Sequence, residues 1–168
     1  MAAGAGFGAP RSLMARAIAA LARREHSRTE LARKLARYLE PPDDRATLER
    51  VLDELESRQL LSDERYAGAA VRTRSARYGD ARLRRELTAK GVAAELATAA
   101  VQAQAGGELE RARALWQRRF GTPPESLPER ARQTRFLLAR GFSADTIRRV
   151  LGRRGASAGG FTGEPSDD

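Results

Sequence analysis

The side chains that most often carry out catalysis are scarce in this chain of 168 residues, which has no cysteine and a single histidine, His26. This composition excludes disulfide scaffolds, cysteine-based zinc sites, thiol catalysis and a histidine-dependent triad made by this chain alone. His26 lies beside a predicted helix cap and has no nucleophile or second histidine at catalytic spacing. We therefore interpret it as a turn residue that hydrogen-bonds near Ser27.

Two other candidate sites are better explained by helical structure. Asp63 and Glu64 are adjacent carboxylates, but neighbouring residues on a helix point about 100° apart. Both fall in the first turn of a predicted helix, where the helix dipole favours negative charge. Trp116 shares its helical spacing with other large apolar residues, which favours a place in the core over a base-stacking platform. We predict no catalytic residue, no metal site and no cofactor.

Arginine is the residue type with the greatest capacity for binding in this chain. The formal net charge is +9, and all but two of the 31 basic residues are arginines, the exceptions being Lys34 and Lys90. A guanidinium pairs with phosphate or carboxylate through two hydrogen bonds, and positive charge speeds encounters with negative partners. The charge therefore favours a polyanion or an acidic protein surface as partner. Genomic base composition is the alternative explanation of so much arginine.

Two basic stretches form the candidate partner-binding surface. The first is the denser, and Asp80 and Glu86 are too few to neutralise it. Its candidate residues are Arg72, Arg74, Arg77, Tyr78, Arg82, Arg84 and Arg85. The second stretch flanks the last two predicted helices, and its candidate residues are Arg132, Arg135, Arg140 and Arg148. A solvated helix face is the alternative interpretation of either stretch.

The elements that position these arginines are predicted to be helices throughout. Apolar residues recur at helical spacing in almost every segment, and no segment alternates as a β-strand does, so we predict an all-α fold. The predicted helix N-caps are Ser12, Ser27, Ser62 and Ser143. Ser27 and Glu30 match the capping box, in which hydroxyl and carboxylate each satisfy a free backbone N–H group. Pro41-Pro42 is predicted to end one helix, and Asp44 to start the next.

The helices follow a repeat of about 50 residues. Its register aligns three positions at spacing four in each copy, namely Leu31, Leu35 and Leu39; Leu83, Leu87 and Gly91; and Gln133, Leu137 and Gly141. Stacked copies favour tandem three-helix modules in an elongated, curved array. The predicted boundaries are an N-terminal helix at 12–26, three-helix modules at 27–78 and 79–121, a truncated module at 122–154, and disordered ends at 1–11 and 155–168.

Four motifs, in this order along the chain, resemble those of the bacterial RecX family. They are Arg24-Glu25-His26-Ser27-Arg28 with Glu30-Leu31 and Lys34-Leu35; Leu60-Leu61-Ser62-Asp63-Glu64-Arg65-Tyr66-Ala67; Arg77-Tyr78-Gly79 with Arg82-Leu83-Arg84-Arg85-Glu86-Leu87 and Lys90-Gly91; and Arg135-Phe136-Leu137 with Arg140-Gly141-Phe142-Ser143. The resemblance covers about residues 13–151. One departure is Ala97, where the family often has a larger aliphatic residue, and we expect Leu96 to take its place.

The resemblance implies a regulator of the RecA recombinase, built of tandem three-helix modules that lie in the groove of the RecA filament on DNA. It also implies inhibition of the ATPase, strand-exchange and co-protease activities of RecA. Arg77, Tyr78, Arg82 and Arg140 match positions in the family motifs. We therefore expect a filament-binding regulator that is not an enzyme, with a stand-alone helical DNA-binding protein as the alternative.

Composition also sets expectations for location and partners. No segment approaches the ~20 apolar residues of a membrane span, and residues 1–10 lack the basic start and apolar stretch of a signal peptide. We therefore expect a cytoplasmic protein that does not bind membranes. The expected partners are the RecA filament and, weakly and without sequence specificity, single- or double-stranded DNA. We expect a monomer, because a tandem array supplies its own neighbouring modules.

Overall fold

Helices account for all the regular structure in the residues that the computed structural model describes, which are 12–41, 45–104 and 106–152. The α-helices of these residues are α1 Leu13–Leu21, α2 Arg28–Leu35, α3 Arg45–Ser57, α4 Asp63–Arg74, α5 Asp80–Ala89, α6 Ala94–Gln102, α7 Glu108–Arg119, α8 Leu127–Ala139 and α9 Ala144–Leu151. A 3-10 helix, Ala36–Tyr38, follows α2. The predicted all-α fold is confirmed.

Some predictions concern residues outside the described ranges. These are the disordered ends at 1–11 and 155–168, the turn at Pro42, the helix start at Asp44, and residues 153–154 of the third module. Within the described ranges, no helix is long and apolar enough to cross a membrane.

Serine side chains cap four helices as predicted. The hydroxyls of Ser12, Ser27, Ser62 and Ser143 accept hydrogen bonds from backbone N–H groups three residues later. The capping box at Ser27 forms only in half. The Glu30 N–H donates to Ser27 Oγ at 3.1 Å, but the Glu30 carboxylate binds the Arg24 guanidinium and the His26 ring instead of turning back to the cap. A guanidinium is the stronger partner, because both groups are charged and Arg24 makes two hydrogen bonds to the carboxylate.

The buried residues form three hydrophobic clusters, each supplied by three consecutive helices. The first cluster belongs to α1, α2 and α3, the second to α4, α5 and α6, and the third to α7, α8 and α9. We call these groups the first, second and third trios. Each trio buries an apolar face that its helices could not cover singly, which is the packing logic of repeat proteins.

This grouping differs from the predicted module boundaries by one helix. The predicted first module, 27–78, includes α4, yet Ala67 and Val71 of α4 are buried in the second cluster. The predicted third module lacks α7, yet Ala112 and Leu115 of α7 are buried in the third cluster. Sequence periodicity yields the length of a repeat, whereas its starting point depends on which faces meet in space.

The register of the repeat agrees with the structure. The aligned positions fall on the middle helices of the trios, which are α2, α5 and α8, and their first two members are buried in every copy: Leu31 and Leu35, Leu83 and Leu87, Gln133 and Leu137. The third members Gly91 and Gly141 have positive φ angles of 85° and 83°, as expected of glycines that follow a helix end. The repeat therefore places equivalent residues at equivalent positions of the three middle helices.

Two side chains in the cores test finer predictions. Trp116 packs against the third cluster and donates from Nε1 to Oε1 of the buried Gln133 at 2.7 Å, in agreement with a core role. The prediction that Leu96 replaces a larger residue at position 97 is wrong, because Ala97 is 1% exposed and Leu96 is 37% exposed. The small Ala97 side chain faces the core directly, and α6 packs closely on α4 and α5 around it.

Candidate functional site

The second and third trios meet where the end of α8 lies against the start of α5. We call this contact the second junction. The Gly79 N–H donates to the Arg140 carbonyl at 2.8 Å, and Arg82 Nη1 donates to the Ala139 carbonyl at 3.1 Å. A Cβ atom on Gly79 would lie 2.3 Å from the Gly141 carbonyl oxygen. The junction therefore brings residues from both predicted basic stretches to the same place.

Tyr78 is the centre of an arginine cluster at this junction. The guanidinium carbons of Arg82, Arg74 and Arg140 lie 4.1, 5.3 and 5.9 Å from the centroid of its ring. Such contacts are stabilised by attraction between a cation and the negative face of the ring. Glu86 completes the cluster, because Nε of Arg74 and Nε of Arg82 each lie 3.1 Å from one of its carboxylate oxygens. Arg74 and Arg82 pair with this one carboxylate and Arg140 has no ion pair in the described residues, which leaves the cluster positive.

The arrangement of arginines and rings continues across the third trio. Arg140 also lies over Phe136 at 4.9 Å, and the Phe136 ring meets the Phe120 ring edge to face at 5.3 Å. Arg132 and Arg119 lie 5.6 and 5.8 Å from the Phe120 centroid. We call this set the arginine strip, and its members are Arg74, Tyr78, Arg82, Arg119, Phe120, Arg132, Phe136 and Arg140. Guanidiniums stacked on half-buried rings are held in place for pairing with phosphates or carboxylates.

The remaining candidate arginines lie outside the strip. Arg72, Arg77 and Arg135 are exposed, and Arg84 is half-buried, all without an ion pair in the described residues. Arg85 is exposed and hydrogen-bonds the Ala81 carbonyl of its own helix. Arg148 pairs with Asp145 at 3.0 Å. The predicted residues therefore divide into members of the arginine strip and arginines that lie outside it.

Three members of the strip escaped prediction as site residues. Arg119 and Phe120 carry no local signal, because each fits an ordinary amphipathic helix, and Phe136 lies in the fourth family motif without being distinguished there from its core neighbours. Phe120 and Phe136 are separated by a proline-containing loop, and only the packing of α7 against α8 brings their rings together. Tyr78, in contrast, was identifiable because it interrupts a dense run of arginines.

The first and second trios meet in a similar contact, which we call the first junction. Ser27 Oγ donates to the Lys90 carbonyl at 2.5 Å, and Lys90 Nζ lies 3.4 Å from Oε1 of Glu30. The Arg28 N–H donates to Oδ1 of Asp63 at 2.7 Å. Asp63 therefore binds the start of α2 in the neighbouring trio, which is a more specific role than the predicted stabilisation of its own helix.

His26 is buried at the first junction, and its Nδ1 lies 3.0 Å from Oε2 of Glu30. Burial of the ring lowers the pKa of His26, although the Glu30 carboxylate opposes this effect. His26 lies in the turn before α2, and the hydrogen-bond partner of its ring is Glu30.

Glu30 contributes to the pH dependence of stability in acid. The hydrogen bond from Arg24 lowers the pKa of Glu30 from 4.5 to about 2. A carboxyl group whose folded pKa is lowered stabilises the fold above its unfolded pKa, and this contribution is lost as the pH falls through the folded pKa. We expect the free energy of unfolding, measured by urea denaturation, to fall between pH 4.5 and about 2. Glu30→Gln should remove this part of the acid dependence, and an unchanged pH profile in that variant would contradict the assignment.

Family models and curated relatives match most of the chain. Models of the second and third three-helix domains of RecX match residues 62–101 and 107–151, in agreement with the second and third trios. The chain is 53% identical to Regulatory protein RecX of Leptothrix cholodnii over 83% of this chain and 87% of that relative. It is 47% identical to Regulatory protein RecX of Ralstonia nicotianae over 89% of this chain and 91% of that relative.

Solved structures share the arrangement of helices. A crystal structure of RecX from Lactobacillus salivarius has a TM-score of 0.70 and 21% identity, and the match covers 83% of this chain and 92% of that chain. A second crystal structure, of a regulatory protein RecX, has a TM-score of 0.67 and 23% identity, with 82% and 72% covered. At such identities the likeness establishes the fold alone.

Proposed function

The chain belongs to the RecX family of regulatory proteins, and from this premise we propose that it binds the RecA filament on DNA and inhibits it. The inhibited activities are the ATPase, strand exchange and co-protease activity of RecA. The chain acts by binding and performs no chemistry of its own. Its partners are the RecA filament and, weakly and without sequence specificity, DNA.

The observation that carries the proposal, beyond family membership, is the arginine strip. It combines guanidiniums from two trios, and Glu86 is the one carboxylate paired with them in the described residues. A nucleoprotein filament offers phosphates and acidic protein surfaces to such a strip. Because the second junction joins the two trios, contacts made by one trio hold the other close to the filament and raise its effective concentration. A ligand attached at several points hinders the subunit motions that accompany ATP turnover.

The same strip favours one alternative function, binding to DNA without RecA. Aromatic rings interleaved with arginines are typical of surfaces that bind single-stranded nucleic acid. The two functions respond differently to salt. Direct binding to DNA weakens log-linearly with salt, because binding releases counterions from the phosphates and this release becomes less favourable as the salt concentration rises. Filament binding also requires RecA and its nucleotide.

The first experiment is a titration of the single-stranded-DNA-dependent ATPase of the cognate RecA with this protein. We expect inhibition well below one chain per RecA subunit, because one bound regulator affects several neighbouring subunits. An unrelated basic protein of equal net charge is the control. No inhibition, together with salt-sensitive DNA binding in the absence of RecA, would replace this proposal with the alternative.

The proposal also covers the shape, the oligomeric state and the location of the protein. We propose that the trios form an elongated, curved array that acts as a monomer in the cytoplasm. The two junctions support the array, because each connects consecutive trios in chain order. Sedimentation velocity tests this point, with a monomer of high frictional ratio as the expected result.

A further inference from the structure

The middle helix of every trio carries an exposed arginine at the same position of the repeat. These arginines are Arg33, Arg85 and Arg135, each of which lies two residues after the first buried anchor and two residues before the second. None of the three has an ion pair in the described part of the chain. Arg85 and Arg135 belong to the two basic stretches, whereas Arg33 lies in the first trio, outside both stretches.

The two junctions that connect the middle helices have hydrogen bonds at corresponding positions, from the side chain of the N-cap residue in the first junction and from its backbone N–H in the second. In the first, the N-cap residue Ser27 donates to the carbonyl of Lys90, the last residue before Gly91. In the second, the N-cap residue Gly79 donates to the carbonyl of Arg140, the last residue before Gly141. The end of one middle helix therefore lies on the start of the preceding one in both places.

A second pair of hydrogen bonds repeats as well. The N–H of the first residue of α2, Arg28, donates to Asp63, the first residue of α4, at 2.7 Å. The N–H of the first residue of α5, Asp80, donates to Glu108, the first residue of α7, at 3.0 Å. Each trio thus binds its predecessor through a carboxylate at the start of its own first helix.

The glycines show that the backbones approach closely at both junctions. A Cβ atom on Gly91 would lie 2.0 Å from Oγ1 of Thr29, and one on Gly141 would lie 2.4 Å from Cβ of Arg82. Such contacts allow little variation in how one trio sits on the next. Since the buried anchors recur and both junctions combine a hydrogen bond at the helix start with a close glycine contact, we expect the step from Arg33 to Arg85 to resemble the step from Arg85 to Arg135.

We propose that Arg33, Arg85 and Arg135 form a row of contacts, one in each trio, with acidic groups that repeat on successive protein subunits of the partner. This inference rests on the proposed function and identifies the residues and the partner chemistry. The middle helices have 8, 10 and 13 residues, so the step is on the order of one helix length, roughly 12 to 20 Å. Phosphates on one strand of duplex DNA recur about every 3.4 Å. A step of helix length suits protein subunits better than neighbouring phosphates.

The test uses Arg33→Glu, Arg85→Glu and Arg135→Glu, singly and combined in the full chain. Arg50→Glu is the matched control, because Arg50 is also exposed but lies on α3, outside the middle helices, with a hydrogen bond only to Thr47. The affinity of each variant is measured by fluorescence anisotropy for RecA filaments on single-stranded DNA, and separately for the bare DNA. Circular dichroism verifies that every variant keeps the wild-type helicity.

We expect each single reversal in the row to weaken filament binding by about 3- to 10-fold, and Arg50→Glu to have little effect. Since the three sites are far apart, the triple variant should lose roughly the product of the single effects. If the wild-type chain binds the filament and the row variants bind it as well as Arg50→Glu does, the proposed row is overturned and the proposed function stands. Equal losses on bare DNA would overturn the assignment to protein subunits. A wild-type chain that does not bind the filament would overturn the proposed function itself.

Discussion

Leu87→Asp unfolds the second trio. Leu87 is 4% exposed and belongs to the cluster formed by α4, α5 and α6. A carboxylate at this position would be buried without a partner, at a cost on the order of 4 kcal/mol or more. The free energy of unfolding of a small domain is only about 5 to 15 kcal/mol, so this cost removes much of the stability of the trio. We expect hydrogen exchange by mass spectrometry to show lost protection in α4, α5 and α6.

The control for this variant is the exposed neighbour Thr88→Asp. It adds the same charge to the same helix one residue later, where water solvates the carboxylate, and we expect it to cost less than about 1 kcal/mol. The strip residues on α4 and α5 depend on the second trio, so Leu87→Asp should also abolish binding to the filament. Retained protection in α4 to α6 would show that the second cluster is not the stabilising core.

Gly141→Ala displaces the third trio from the second. Gly141 has a φ angle of 83°, which costs alanine roughly 1 to 2 kcal/mol. The added methyl group would also lie 2.4 Å from Cβ of Arg82 and 2.9 Å from its backbone nitrogen. Backbone atoms cannot give way as a flexible side chain can, so the junction must open while each trio keeps its own buried cluster.

The displacement can be measured by pulsed electron paramagnetic resonance. The chain has no cysteine, so spin labels attach only at introduced sites, for which we choose the exposed Ala93→Cys in the second trio and Ala144→Cys in the third. Gly152→Ala is the matched control, because Gly152 also has a positive φ angle, 73°, with no atom within 4 Å of the added methyl group. We expect the distance distribution to shift or broaden for Gly141→Ala only. Identical distributions in both variants would mean that the glycine contact does not set the orientation of the trios.

The mutation of Arg82 illustrates why the junction matters for functional tests. Arg82 stacks on Tyr78, pairs with Glu86 and donates to the Ala139 carbonyl across the junction. Its reversal would change both the charge and the arrangement of the trios. Arg85, three residues away on the same helix, is exposed and makes its one hydrogen bond to its own helix. Arg85 is therefore the cleaner probe of partner binding.

Local patterns explain what was predictable about the helices. Serine caps, buried leucines at spacing four and glycines after helix ends act over a few residues, and these signals predicted the starts of four helices and the register of the repeat. The capping box shows the limit of this reasoning. Glu30 fits the pattern, but Arg24 and His26 lie close enough in the folded chain to bind its carboxylate instead.

The all-α class, the positive charge, the repeat length and the family resemblance could all be predicted, because they depend on residue types and on spacings within one helix or one repeat. Three features became visible only in the folded chain: α4 begins the second trio, Ala97 faces the core, and Phe120 and Phe136 join the arginines around Tyr78. The physical reason is the same in each case. Which faces of separate helices meet depends on the packing of the whole chain and on close backbone contacts such as those of Gly79 and Gly141, and no local spacing encodes those contacts.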